Sequence, residues 1–162
     1  MRVFKLAIIA AALSLVSACT TAVTATKPFD KNVQQDLKIE QVLVDAIPGS
    51  GATTTLVAAL RSSVLQKLTA KGALGENANL HIVISRVVIK STGNRAMIGA
   101  LAGSNKLDVT ATVKSQSSGK VLAEFDVKGD YNPGGFGAFS NPESSTAEGV
   151  AEALVAEIYK NR

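Results

Sequence analysis

Lys106-Leu107-Asp108-Val109-Thr110-Ala111-Thr112-Val113-Lys114 and, after Ser115, the run Gln116-Ser117-Ser118-Gly119 followed by Lys120-Val121-Leu122-Ala123-Glu124-Phe125-Asp126-Val127-Lys128 decide how this chain folds. Leu107, Val109, Ala111 and Val113 alternate with charged or hydroxylated residues, and Val121, Ala123, Phe125 and Val127 repeat the pattern. A period of two sends alternate side chains to opposite faces, so each run reads as a strand with one apolar and one wet face. The polar, glycine-terminated segment between them reads as a hairpin turn. The result is an antiparallel pair whose apolar face must be covered by something else.

Working outward, Leu80 to Lys90 is rich in β-branched residues and alternates less cleanly, which predicts a central strand covered on both sides. Leu37 to Asp45 predicts an earlier strand, closed by the breaker Pro48-Gly49-Ser50-Gly51. Leu56, Leu60, Val64 and Leu68 recur every four residues, with Thr53 placed to cap the start and Gly72 to end a helix. A last helix is expected from Ser144 to Tyr159, with Ala147, Val150, Ala151, Leu154 and Ile158 on one stripe and Ser145 to Glu148 spaced as a capping box. One-faced strands and one-striped helices predict an α+β, two-layer sandwich. Its sheet is expected to be mostly antiparallel and four-stranded with both helices on one face, in the order βαβββα.

The N-terminus carries a different kind of signal. Arg2 and Lys5 precede the apolar run Leu6 to Val16, which ends in Leu15-Val16-Ser17-Ala18-Cys19. The run falls short of the roughly 20 apolar residues a permanent span requires, so residues 1–18 are expected to be a cleaved signal peptide. The segment Leu15 to Cys19 resembles the lipobox of bacterial lipoproteins. That resemblance implies acylation of Cys19, with palmitate or similar chains that anchor the protein to lipid. Thr20, rather than Asp, follows the cysteine, and by the same resemblance this implies the outer membrane, facing the periplasm. The alternative is an ordinary secretory leader in which Cys19 is incidental. Residues 19–36 show no sustained period and are expected to be the acylated cysteine and a flexible linker, holding a domain of residues 37–162 on the order of 20 to 25 Å from the lipid.

The full chain of 162 residues carries 17 basic and 13 acidic side chains. Without the leader the basic count falls to 15, nearly balanced by the acidic residues, and no lysine-rich patch or aromatic-interleaved basic stripe argues for nucleic acid. Cys19 is the single cysteine, so a disulfide is not expected to stabilise the fold.

Two glycine-rich segments are the candidate contact sites. Ser91 to Asn105 contains Arg95, Met97, Ile98 and Leu101, and Tyr131 to Pro142 contains Tyr131, Phe136 and Phe139. Both should leave the same end of the sheet, and large apolar groups in such segments either fold back over the core or meet a partner. That partner would be an envelope protein, another copy of the chain or the bilayer. Catalytic, cofactor and metal sites are not expected. His81 is the single histidine and lies in a strand, no Gly-x-Ser-x-Gly elbow occurs, and Gly99 to Gly103 lacks the Gly-Lys-Ser/Thr ending of a phosphate loop. Asp126 and Asp130 read as a wet strand face rather than an acid and base pair.

The lipobox, Gly93-Asn94-Arg95, the Gly99 to Gly103 segment, Ser118-Gly119-Lys120-Val121-Leu122-Ala123 and Gly134-Gly135 before a terminal helix together resemble a family of uncharacterised Gram-negative outer-membrane lipoproteins. Leu65 to Ile84 resembles YajG-like lipoproteins. The resemblance implies no enzyme and no cofactor, and a non-catalytic interaction or accessory module of the cell envelope. The alternatives are a self-associating structural lipoprotein and, with less behind it, a hydrolase. Labelled palmitate should enter the chain and be lost in Cys19→Ser; label persisting in that variant, or absent from both, contradicts the anchor.

Overall fold

The computed structural model describes residues 21–30, 32–90, 103–131 and 141–162. Its elements are β1 (Ala22–Lys27), β2 (Ile39–Ala46), α1 (Thr54–Ala70), β3 (Leu74–Val88), β4 (Asn105–Ser115), β5 (Val121–Tyr131) and α2 (Pro142–Ile158). The strands form one sheet in the order β1-β5-β4-β3-β2, parallel between β2 and β3 and antiparallel elsewhere. Both helices pack on the same face of this sheet, as the periodicity requires, and contact each other along their length.

The hairpin forms in the expected register: Val109 faces Val127, Ala111 faces Phe125, and Val113 faces Ala123. All six are buried, while Asp108, Thr110 and Asp126 on the other face are not. Gly119 turns the chain at φ 67°, a left-handed conformation that glycine adopts without steric cost.

The expected count of four strands is corrected to five. Residues 22–27, expected to be part of the linker, form an edge strand antiparallel to β5, with Val23 opposite Val127 and Ala25 opposite Phe125. Two features hold it there. The Lys27 ammonium donates to the Val121 carbonyl at 2.6 Å, and the Phe29 ring lies 5.8 Å from that of Phe125. Alternation in Ala-Val-Thr-Ala-Thr is real, but the inward groups are small and only half-buried, so the run carries little hydrophobic signal.

β3 is also corrected. It begins at Leu74 and is covered on one face alone: Ala78, Leu80, Ile82 and Ile84 are buried, whereas Asn79, His81 and Val83 are half-exposed. Its blurred alternation has a local cause. A bulge at Ser85 sets two β3 residues against one of β4, so Ile84 pairs with Val109 but Val87, not Arg86, pairs with Leu107. The inward parity therefore switches from even to odd along the strand.

Helix α1 is capped as expected. The Thr53 hydroxyl accepts from the Leu56 amide at 3.0 Å, and Gly72 at φ 57° lets the Ala73 amide return to the Leu68 carbonyl at 2.9 Å. Leu56, Leu60, Val64 and Leu68 are fully buried. The Ser145 to Glu148 capping box does not form. Asn141 caps α2 instead, accepting from Glu143 and Ser144 amides at 3.0 and 3.4 Å, with Pro142 in the first turn where its missing N–H costs nothing. Glu148 points to α1, where it and Glu152 meet Lys67 at 3.3 and 3.1 Å. Both carboxylates are well exposed, so this interhelix pairing orients more than it stabilises.

The far end of α2 is fastened by the segment before β2. The Gln34 amide donates to the Ile158 carbonyl at 2.7 Å, Asn161 donates to Gln34 at 3.1 Å, and the Tyr159 hydroxyl donates to the Leu37 carbonyl at 3.4 Å. Burial of the Tyr159 phenol pushes its pKa up to about 12.

At Gly129 helix and sheet are in close contact. A β-carbon there would lie 2.5 Å from Val150 Cγ2 and 2.9 Å from the Leu107 carbonyl oxygen. Gly129→Ala should cost about 1–3 kcal/mol by overpacking, and Val150→Ala in the same chain should recover part of the loss. Paired thermal melts measure both; a neutral Gly129→Ala contradicts this helix placement.

Candidate functional site

The strand directions bring five chain ends together: the start of β1, the ends of β2, β3 and β5, and the start of β4, with both helices beginning at the same end. Both glycine-rich segments are therefore bounded by residues of one end of the sheet. Of the candidate contact residues, Arg95, Met97, Ile98, Leu101, Phe136 and Phe139 lie outside the described residues, as does Cys19. Tyr131 is described. It is the last residue of β5, half-buried, and sits opposite Asn105.

Asn105 is the polar centre of this end and was not anticipated. Its side chain is fully buried, accepts from the Lys90 amide at 3.0 Å and donates to the Thr146 hydroxyl at 3.1 Å. The Thr146 hydroxyl, also buried, donates in turn to the Pro142 carbonyl at 2.6 Å. One amide thus ties the exit of β3, the start of β4 and the first turn of α2. A signal existed: Asn105 holds the same parity as Leu107 and Val109, so it had to point inward, and an inward amide requires partners.

On the open face of the sheet, beside this centre, lies a polar cleft of about 350 Å³ lined by Ala22, Arg86, Lys106, Asp108, Lys128, Gly129 and Asp130. Cross-strand register sets Asp108 between Arg86 and Lys128, and Lys106 lies 3.4 Å from Asp130. A hydrogen bond from Ser104, followed by that from Lys106, holds the Asp130 carboxyl below its ordinary range. The Thr110 hydroxyl donates to Asp126 at 3.1 Å, so both aspartates belong to a wet, internally paired strand face.

A second, more apolar groove of about 300 Å³ runs between edge strand β2 and α1, lined by Val42, Val44, Val57, Ala58, Asp45 and Arg61 among others. Leu43 and Ile47 nearby are 42% and 45% exposed. His81 Nε2 lies 2.8 Å from Asp45 Oδ2, and Thr112 is the cross-strand neighbour of His81. Among the described residues no group of three or more His, Cys, Asp or Glu side chains could hold a metal, and no helix is long and apolar enough to cross a membrane. What the described residues present is a set of surfaces around a structural polar centre.

The arrangement defines a class: a one-faced, five-stranded mixed sheet under two helices. No family model matches the sequence, and no curated protein matches it. Among solved structures the chain is similar to the PelC dodecamer of Paraburkholderia phytofirmans. One form is 16% identical, with a TM-score of 0.54 over 88% of this chain and 99% of that one. A single-residue variant of the same dodecamer is 15% identical, with a TM-score of 0.57 over 88% and 98%. At this identity the likeness establishes the fold. A Caulobacter crescentus CB15 protein described as a candidate lipoprotein is 12% identical, with a TM-score of 0.40 over 72% of this chain and 88% of that one, too loose a match to argue from.

Asn105→Ala leaves the Lys90 amide and the Thr146 hydroxyl without their buried partner, and should cost about 1–3 kcal/mol. Hydrogen exchange at the Lys90 amide should rise by more than that at Leu80 in mid-strand; unchanged exchange at Lys90 contradicts the tie.

Proposed function

We propose that this protein is a lipid-anchored, self-associating structural subunit of the bacterial cell envelope, held to the outer membrane through Cys19. The observation that carries the reading is the near end-to-end similarity in fold to a protein that assembles as a dodecamer. A non-catalytic chain would fit a subunit whose product is an assembly. Both edge strands, β1 and β2, lack a further strand partner among the described residues, and an open edge is a ready surface for pairing with another copy. The similarity supports self-association more directly than the reading as an accessory module for a different envelope protein. The lipobox-like segment Leu15 to Cys19 supplies the anchor, and Thr20 after it favours the outer membrane.

Photo-crosslinking residues introduced at Met97 and at Phe136 in intact cells test the assembly. Adducts at multiples of the chain's own mass are expected from at least one position. Adducts solely with other envelope proteins would overturn self-association in favour of the accessory reading.

A further inference from the structure

The first strand changes how close the body stands to the lipid. β1 begins at Ala22, three residues after Cys19, where a 17-residue spacer was expected from the sequence. Three Cα–Cα steps reach at most about 11 Å. The 11 residues of β4 extend over roughly 36 Å, so the body is several times longer than its tether. Ala22 therefore stays near the lipid while the hairpin at Gln116 to Gly119, at the other end of the sheet, can stand well away from it.

What lies beside Ala22 suits a phosphate-bearing surface. Ala22 pairs with Lys128, which pairs with Asp108, which pairs with Arg86, and all four line the polar cleft. Lys106 is engaged by Asp130, but Arg86 and Lys128 form no ion pair among the described residues and are exposed. Cations at a lipid surface gain from phosphate groups, arginine in particular through its paired donors.

Resting on the proposed acylation of Cys19, we infer that the Ala22 end of the sheet seats against the bilayer, with Arg86 and Lys128 meeting lipid phosphates. The five strands then stand end-on to the membrane. Edge-on seating on β1 is the competing geometry, and Ala46 separates the two. It lies at the same end of the sheet but on β2, four strand spacings or about 19 Å from β1.

The test uses the full acylated protein in vesicles of phosphatidylethanolamine and phosphatidylglycerol containing a lipid with a nitroxide headgroup. Fluorophores are placed on Ala46→Cys or Ser117→Cys, the native Cys19 being blocked by its acyl chain. The label at Ala46 should lose most of its fluorescence, and the label at Ser117 should keep it. Equal quenching at both, or quenching confined to Ser117, overturns the seating. In an R86Q/K128Q background with an unchanged melting temperature, quenching at Ala46 should fall; if it stays, the phosphate contact is wrong. Failure of the protein to float with the vesicles at all would instead sink acylation itself, and the seating with it.

Discussion

A five-stranded sheet with one apolar face cannot exist alone in water, and covering that face is the constraint from which the rest of this structure follows. Leu107, Val109, Ala111 and Val113 on β4, with Ala123, Phe125 and Val127 on β5, point to the side where Leu56, Leu60, Val64, Leu68, Val150, Leu154 and Ile158 point back. Burial of such groups is worth about 1.5–3 kcal/mol for each large side chain, and here it is continuous across both helices. Helix α1 occurs between two parallel strands because a parallel connection must cross over the sheet, and that crossover places its stripe over the core. Helix α2 follows β5 and fills the remaining half of the face, close enough at Gly129 that no side chain fits between.

Because one face is spent on the core, the surfaces left for other purposes are the open face, the two edges and the two ends. The open face is paired in part, Lys106 with Asp130, the Thr110 hydroxyl with Asp126 and His81 with Asp45, while Arg86 and Lys128 form no ion pair among the described residues. The two ends differ. One is fastened by Gln34, Asn161 and Tyr159 around the C-terminus of α2. The other gathers the starts of both helices around Asn105 and Thr146, and from it both glycine-rich segments depart. A buried amide between strands and helix holds those departure points in a fixed relation whatever the segments themselves do.

Much of this was readable in the chain because period-two and period-four patterns are strong when the inward groups are Leu, Ile, Val and Phe. The hairpin, both helices and the shared end of the two glycine-rich segments belong to that class. Three features were not readable, each for a definite reason. β1 only half-buries Val23 and Ala25, too small a signal to stand out from a polar spacer. β3 hides its alternation behind the bulge at Ser85, which inverts parity halfway. The start of α2 reads as Ser144 with a Ser145 to Glu148 capping box because a Ser-x-x-Glu spacing is a common start signal, but Asn141 before Pro142 is the better cap and starts the helix two residues earlier. Of the candidate contact residues, Tyr131 is placed at the expected end of the sheet; the charged cleft beside it depends on cross-strand register, which no single strand displays.

The proposed function joins two separate threads: a segment, Leu15 to Cys19, that resembles a lipobox, and a fold similar to that of a dodecameric protein. The most direct measurement is the mass of the acylated particle extracted in mild detergent, by native mass spectrometry or light scattering. The account predicts a closed assembly of many copies with a fixed stoichiometry. A monomer at the concentrations found in the envelope would contradict it.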